Sequence, residues 1–448
     1  MRSRTFIGAV AVVAFAALGL QGCAVVDGSG EDPDTLRVMV ASNTTFPKQY
    51  TAWQDRIGRE FVRETGVRIQ WETYASTQEE QTDIQTSVIS GQGPDVYSLG
   101  TTFTPTAYST GAFVRLTDAD WEAVGGKDRF TPATLGISGP SSSEQIAVPL
   151  HSRPYMMAVN EKLLAAHGIT TMPTTWDELT ADAEATTGDG TYGLSIAYAD
   201  GADPWKFIWG MSQNAGNTIV DGSHATVDGP AVQKAYDTYF DWVAEDHVVD
   251  PASVGWNDAQ ALAAFADGKA AFFPMTTVGA LPTLAASKVA DDYSFALLPT
   301  VPPGATERPS DGVEAASILS GDNLVVANYS SEAKQRLSFR FIELITRADE
   351  QERWFRTFGD FPTNQQAART VADGDPKLAT SLQAGTLSKP TAFNGAWGDI
   401  QLSLVDVVTQ SIPGLKAGNV SQAALEQRLR SAQHDAEGSL ARQKNGGL

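Results

Sequence analysis

The apolar positions switch period along the first hundred residues. The run "TLRVMVAS" (35–42) is short, apolar and rich in β-branched residues, which predicts a buried strand. In "PKQYTAWQDRIGREFVRETG" (47–66), Tyr50, Trp53, Ile57 and Phe61 fall on one helical face, and Gly66 suits a left-handed helix end. "VRIQWETY" (67–74) alternates like a strand, a helix is predicted over 78–90, and "GPDVYSLG" (93–100) is a turn leading into a strand. Strands separated by helical crossovers argue for a mainly parallel sheet with helices on both faces.

A second set of this kind begins at "IAVPLHSRPYMMAVN" (146–160), two extended segments interrupted at His151–Pro154. In "TTWDELTADAEAT" (174–186), Thr175 caps a helix and Glu178 completes a capping box. Helices are predicted at 230–246, 256–267 and 332–359, strands at 269–275, 293–299 and 321–328, a Pro- and Gly-rich loop at 299–312, and a mostly helical tail from 400. No internal repeat is found.

The N-terminus follows another pattern. Arg2 and Arg4 precede an uncharged run from Phe6 to Leu20, the length of a signal-peptide core and short for a membrane span. Leu20-Gln21-Gly22-Cys23 resembles the lipobox of bacterial lipoproteins, in which the cysteine is lipidated and becomes the new N-terminus. The expected division is a signal peptide over 1–22 and a flexible tether over 23–35. Cys23 is the one cysteine of the 448 residues, so no intrachain disulfide can form. Loss of the two leader arginines takes the formal charge from −21 to −23. A chain so acidic does not bind nucleic acid through a general field, and anionic lipid repels it, so a membrane address must come from lipid on Cys23.

Enzyme motifs are absent. There is no phosphate loop, no G-x-G-x-x-G after the first strand, no H-E-x-x-H and no G-x-S-x-G, "GLSIA" (193–197) lacking the last glycine. "DADWE" (118–122) fails as a calcium loop, with Ala123 where glycine is needed and Arg129 where a bidentate Glu is needed. No metal or cofactor is expected. A glycosidase-type carboxylate pair stays open among 53 acids, but no local pattern selects one.

Six segments, in order, carry a family resemblance: "FVRETGVRIQWE" (61–72), "ISGQGPDVYSLG" (89–100), "AVPLHSRPYMMAVNEKLLAAHGITTMPTTWDEL" (147–179), "AFADGKAAFFPM" (264–275), "SGDNLVVANYSSEAKQRLSFRFIELIT" (320–346) and "FGDFPTNQQA" (358–367). Over the mature length the chain resembles the extracellular solute-binding proteins of ABC importers, the group that includes maltose- and oligosaccharide-binding proteins. The motifs report scaffold rather than solute. The resemblance implies an α/β fold of the two-lobed type II periplasmic-binding kind, each lobe a mainly parallel sheet flanked by helices, with a hinge and an interlobe cleft. It implies a first lobe of 36–150 plus 296–346 and a second of 151–295 plus 347–448, with crossings near 150–153, 295–300 and 345–350.

Candidate solute contacts sit at strand ends and crossings, where ligands gather in open α/β sheets. They are Asn43 and Thr44 after the first strand, Gln78 at a helix start, and Thr102 and Phe103 after "DVYSLG". His151, Arg153 and Tyr155 lie on the first crossing, Trp205 and Trp209 in "DGADPWKFIWG", Thr276 after "FFPM", and Asp322 and Asn323 at the start of the late strand. Trp397 falls where the resemblance implies a stacking aromatic, and Trp256 is a further aromatic candidate. Trp209 fits a core position equally well, Asp322 and Asn323 also fit a turn, and Arg153 suits either a ligand contact or an interlobe salt bridge.

Two departures from maltodextrin binders bear on the solute. An acidic residue expected near Arg153 is replaced by arginine. A Gly-x-Trp expected after "FFP" is replaced by Met275, Thr276 and Thr277, which removes one stacking platform. Arg153 and His151 suit a hydroxyl-rich ligand or one bearing a carboxylate or phosphate. The expectation is a monomeric, lipid-anchored, non-enzymatic receptor on the extracytoplasmic face. It takes up a mono- or oligosaccharide, with ABC permease subunits as partners. A sensor or adhesin on a co-opted binding fold, and a glycoside hydrolase, are the alternatives.

Overall fold

The computed structural model describes residues 32–43, 46–75, 77–201, 203–373 and 375–445. The signal segment, Cys23, most of the tether and Thr44 lie outside the described residues. Asp34–Leu448 form one unit whose two larger sheets, of six and four strands, are accompanied by two two-stranded ones.

In the six-stranded sheet, Thr35–Ala41 pairs in parallel with Arg68–Tyr74 on one side and Val96–Gly100 on the other. Alternate side chains feed opposite cores: Leu36, Val38 and Val40 enter one, and Met39 enters the other. Helix Pro47–Thr65 covers the first face with Tyr50, Trp53, Ile57 and Phe61, and Gly66 ends it at φ 78°. The sheet is not mainly parallel throughout. Gly321–Val326 joins it antiparallel to Val96–Gly100 and to Ala147–Ser152, and Phe361–Pro362 adds antiparallel to Ala147–Ser152. The parallel pairs are those linked by local helical crossovers. Gly321–Val326 is antiparallel because it returns from the other lobe, and Phe361–Pro362 because it follows a helix on the same lobe back to the sheet edge, directions that local periodicity does not encode.

The second sheet runs Tyr293–Ala296, Met156–Asn160, Ala270–Thr276, Tyr192–Leu194. Two of its pairings are antiparallel, and only the last is parallel. Met157 and Val159 enter one core while Met156 and Ala158 enter another, so this sheet too is buried on both faces. The Thr175–Glu178 capping box is formed at the start of helix Trp176–Thr186. "DADWE" is another helix start, capped by Thr117 and Asp120.

Sheet and core membership locates the passages between lobes. The first is Arg153–Tyr155, between Ala147–Ser152 and Met156–Asn160. The second is expected near 295–300 but lies at Leu319–Ser320. Before it, Val301 still bridges Thr175, the Val313 N–H donates to the Gln213 carbonyl at 2.9 Å, and Ile318 remains in the second-lobe core. The third is expected near 345–350. Helix Ala348–Phe358 nevertheless buries Trp354 and Phe358 in the first-lobe core, and the chain leaves that sheet only after Pro362. The resemblance placed these two crossings by matching scaffold segments, which mark elements and not the lobe that each packs on, so both lie later in the chain than expected.

The first two passages are joined directly, the Arg153 N–H donating to the Ser320 carbonyl at 2.9 Å. Gly321 sits there with φ 145°, and a Cβ on it would lie 1.9 Å from the His151 carbonyl oxygen, so only glycine permits the approach. Gln351 ties in the third passage. Its amide donates to the Leu150 carbonyl at 2.6 Å, and its oxygen accepts from the N–H groups of Thr363 and Asn364 at 2.9 Å each.

Candidate functional site

The passages lie beside two cavities that share Arg153. The first-lobe cavity, about 280 Å³, opens at the C-terminal end of Thr35–Ala41 and is bordered by Asn43, Tyr50, His151, Asp322, Trp354 and Asp360, among others. The second-lobe cavity, about 400 Å³, is bordered by Tyr155, Asp200, Asp203, Asp258, Met275 and Thr276. Parallel strands end here, and their successors must turn away, which leaves a crevice.

Arg153 is held on two sides. Its Nη2 lies 2.6 Å from Asp322 Oδ2 and its Nε 2.7 Å from Asp360 Oδ1. Asp360 also accepts from the Trp354 indole N–H at 3.0 Å. Trp354 stacks on His151 with centroids 4.3 Å apart and planes at 18°, and His151 Nδ1 is 3.7 Å from Asp322 Oδ2. Burial pushes the Asp322 carboxyl up, but the Arg153 charge, the nearby His151 ring and the Arg153 hydrogen bonds outweigh it and hold the group well below the usual carboxylate range. The aromatic wall continues through Tyr50 stacked on Trp53 at 5.4 Å, Trp53 edge-on to Trp354 at 4.8 Å, and Phe358 against Trp354 at 4.4 Å.

On the second lobe, Lys206 is buried, its Nζ 4.4 Å from the centre of the Tyr155 ring and 2.5 Å from Asp203 Oδ1. Burial works against its charge, but Tyr155 and Asp203 together raise its pKa above the ordinary lysine value. Asp200 accepts from the N–H groups of Asp203 and Asp258 at 3.2 Å each. Burial and then the charges of Asp203 and Asp200 push the Asp258 carboxyl up to about 7, with Lys206 opposing. Near the first-lobe cavity, burial pushes Glu80 up to about 8 with help from the Asp322 charge, against the hydrogen bond it accepts from the Gly100 N–H at 3.2 Å.

Six candidates from the sequence gather around the cavities: Asn43, His151, Arg153, Tyr155, Thr276 and Asp322. Asn43 also accepts from the Phe46 N–H at 2.7 Å. Others lie elsewhere. Phe103 is in the first-lobe core and Thr102 is half-buried beside it. Trp205 and Trp397 meet edge-on at 6.0 Å in the second-lobe core, where Trp209 is buried too, and Trp256 packs against a neighbouring core. Asn323 is buried and donates to Thr104 Oγ1 at 2.9 Å. Thr44 and the side chain of Gln78 lie outside the described residues.

Trp354, Asp360, Tyr50, Lys206 and the Asp200–Asp203–Asp258 group were missed. Tyr50 belongs to a periodic core stripe, and nothing local shows that the stripe's first turn opens on a cavity. "FGDFP" lay in a segment that carried the resemblance, but with the third crossing expected near 345–350 nothing in it singled out Asp360. Among the described residues no group of three or more His, Cys, Asp or Glu is placed to hold a metal ion.

A family model for bacterial extracellular solute-binding proteins matches residues 57–385. The chain belongs to this family. It is 25% identical over 377 residues to the diacetylchitobiose-binding protein DasA of Streptomyces coelicolor, across 83% of this chain and 84% of that one. Among solved structures, maltose-bound MalE3 of Thermotoga maritima superposes with a TM-score of 0.71 at 18% identity, across 89% of this chain and 99% of that one. A solute-binding protein of Agrobacterium radiobacter K84 in complex with ribitol gives 0.70 at 18%, across 91% and 99%. These likenesses establish the two-lobed α/β fold. The family is one of binding proteins rather than enzymes, so a hydrolase reading of the carboxylates falls away.

The buried acids predict a pH dependence. Glu80 and Asp258 bind a proton more tightly folded than unfolded, so their contribution to stability is fully present below their ordinary values of 4.5 and 3.8 and is lost as pH rises through about 8 and about 7. Asp322 has the opposite sign: its contribution is present above its ordinary value of 3.8 and lost in stronger acid. Chemical denaturation from pH 5 to 9 is expected to show declining stability, and Glu80→Gln is expected to flatten the decline. An unchanged slope in the variant would contradict the assignment to Glu80.

Proposed function

We propose that this protein is the lipid-anchored receptor of an ABC importer, which captures a neutral carbohydrate between its lobes and delivers it to the permease as a monomer. The observation that carries this reading is the pair of cavities meeting at Arg153, one walled by aromatics and the other by carboxylates. Aromatic faces suit the C–H surfaces of a sugar, and carboxylates accept from paired hydroxyls. The diacetylchitobiose named for the relative, and the maltose and ribitol in the neighbouring structures, support a polyhydroxylated solute.

The sequence left an acidic sugar open on the strength of Arg153 and His151. The ion pairs argue for a neutral one, because Arg153 is matched by Asp322 and Asp360, and Lys206 by Asp203. An anionic ligand would have to displace these carboxylates. A solute that prefers the closed form would shift the two-lobe equilibrium and give the permease a loaded shape to recognise.

Thermal unfolding of a chain starting near Glu31, against a panel of oligosaccharides and polyols, tests the reading. A true solute at a hundred times its dissociation constant adds about 2.7 kcal/mol without being consumed. A flat panel, or turnover of the stabilising compound, would contradict it. For the anchor, Cys23→Ala is expected to leave folding intact and release the protein from the membrane fraction, and retention at wild-type level would refute lipidation.

A further inference from the structure

The lobes also meet where no passage runs. Helix Thr104–Ser109 follows the first-lobe strand Val96–Gly100, and Phe103 and Ala107 fix it in a first-lobe core beside Tyr97 and Leu99. Residues 393–395 belong to the other lobe, because Ala392, Ala396 and Trp397 on either side of them pack in the second-lobe core. Thr106 Oγ1 donates to the Gly395 carbonyl at 2.9 Å. The Tyr108 ring meets Phe393 edge-on, with centroids 5.5 Å apart.

Gly395 shows how tight the approach is. Its φ is not positive, so the backbone conformation does not demand glycine. The neighbours do. A Cβ there would lie 2.9 Å from Ser109 Cβ and 2.8 Å from Ser109 Oγ across the seam, and 2.5 Å from Gln443 Nε2 on its own lobe. Gln443 braces the segment from behind, its Oε1 accepting from the Ala396 N–H at 3.2 Å, while Asn394 Oδ1 accepts from the same N–H at 2.9 Å. The seam begins at the hinge, where Thr101 Oγ1 donates to the Leu319 carbonyl at 3.2 Å and the Leu319 N–H donates to the Lys389 carbonyl at 2.7 Å. Contacts at a passage can persist as the lobes turn, since the chain there is the pivot. Contacts between segments that belong to no passage must part.

We propose that Thr104–Ser109 and residues 393–395 form a latch that holds the lobes together and sets how readily the receptor opens. One hydroxyl hydrogen bond and one aromatic pair are individually weak, so the latch biases the two-lobe equilibrium without locking it. Solute held between the lobes leaves when they part, so the latch slows its escape. The proposal rests on the reading of the protein as a receptor that opens and closes around its solute, and adds what governs the opening. It does not depend on which solute is bound.

Small-angle X-ray scattering without solute tests it, on a chain starting near Glu31 that keeps the whole Asp34–Leu448 unit. Gly395→Ala is expected to enlarge the radius of gyration, because the new Cβ cannot share the seam with Ser109. Adding Ser109→Gly, which removes the facing Cβ and hydroxyl, should restore the wild-type value. Adding Gln443→Ala instead, which relieves the clash within the second lobe alone, should not. An unchanged radius in a folded Gly395→Ala protein overturns the proposal, as does rescue by Gln443→Ala or failure of Ser109→Gly to rescue. Should Gly395→Ala not fold, Phe393→Ala, which removes the aromatic pair, carries the same expectation and the same refutation. Because the scattering needs no solute, a failed latch leaves the carbohydrate reading to the thermal panel, and a flat panel leaves the latch to the scattering.

Discussion

The Arg153 guanidinium, held between the Asp322 and Asp360 carboxylates, joins all three passages between the lobes. Arg153 belongs to the first passage, Asp322 follows the second, and Asp360 precedes the last strand before the third. Its side chain is about a third exposed and those of the aspartates less than a fifth, so the pairs are screened less than surface salt bridges. Removing the arginine would leave two carboxylates facing each other in a half-buried site. The Gly321 approach and the Gln351 hydrogen bonds press the same three segments together without charge. The hinge is therefore fastened at its centre, and the cavities on either side take their walls from it.

That arrangement decides what the cleft can hold. Arg153, which borders both cavities, is already matched by Asp322 and Asp360, Lys206 is matched by Asp203, and Asp200 and Asp258 add acidic walls to the second-lobe cavity. Carboxylates that line a crevice accept from hydroxyl donors and disfavour an anion. The aromatic wall of Tyr50, Trp354 and Phe358 borders the first-lobe cavity, on the lobe opposite the strand after which Gly-x-Trp was expected.

Local physics made much of the fold legible. The stripe in Pro47–Thr65, the glycine that ends it and the Thr175–Glu178 box depend on neighbours within a few residues, and each is found as expected. Strand sense and two of the crossings depend on where distant segments return, and there the expectation of mainly parallel sheets, with passages near 295–300 and 345–350, gave way. The site divides in the same manner. Residues flanking the His151–Pro154 interruption were recognisable because a broken extended run marks a passage. Trp354 and Lys206 were not, because a tryptophan or lysine within a helix shows in sequence neither what it faces nor what it pairs with. Trp397 illustrates the converse, an aromatic at the position the resemblance implies whose ring is buried in the second-lobe core.

The central claim is that Arg153 is a structural clamp whose charge the protein itself consumes, leaving a cleft for an uncharged solute. Calorimetric comparison of the best-binding neutral sugar with the uronic acid of the same skeleton at pH 7 tests it most directly. The account predicts that the uronate binds at least a hundredfold more weakly. Equal or tighter binding of the uronate would mean that Arg153 is available to the ligand, and would contradict the account.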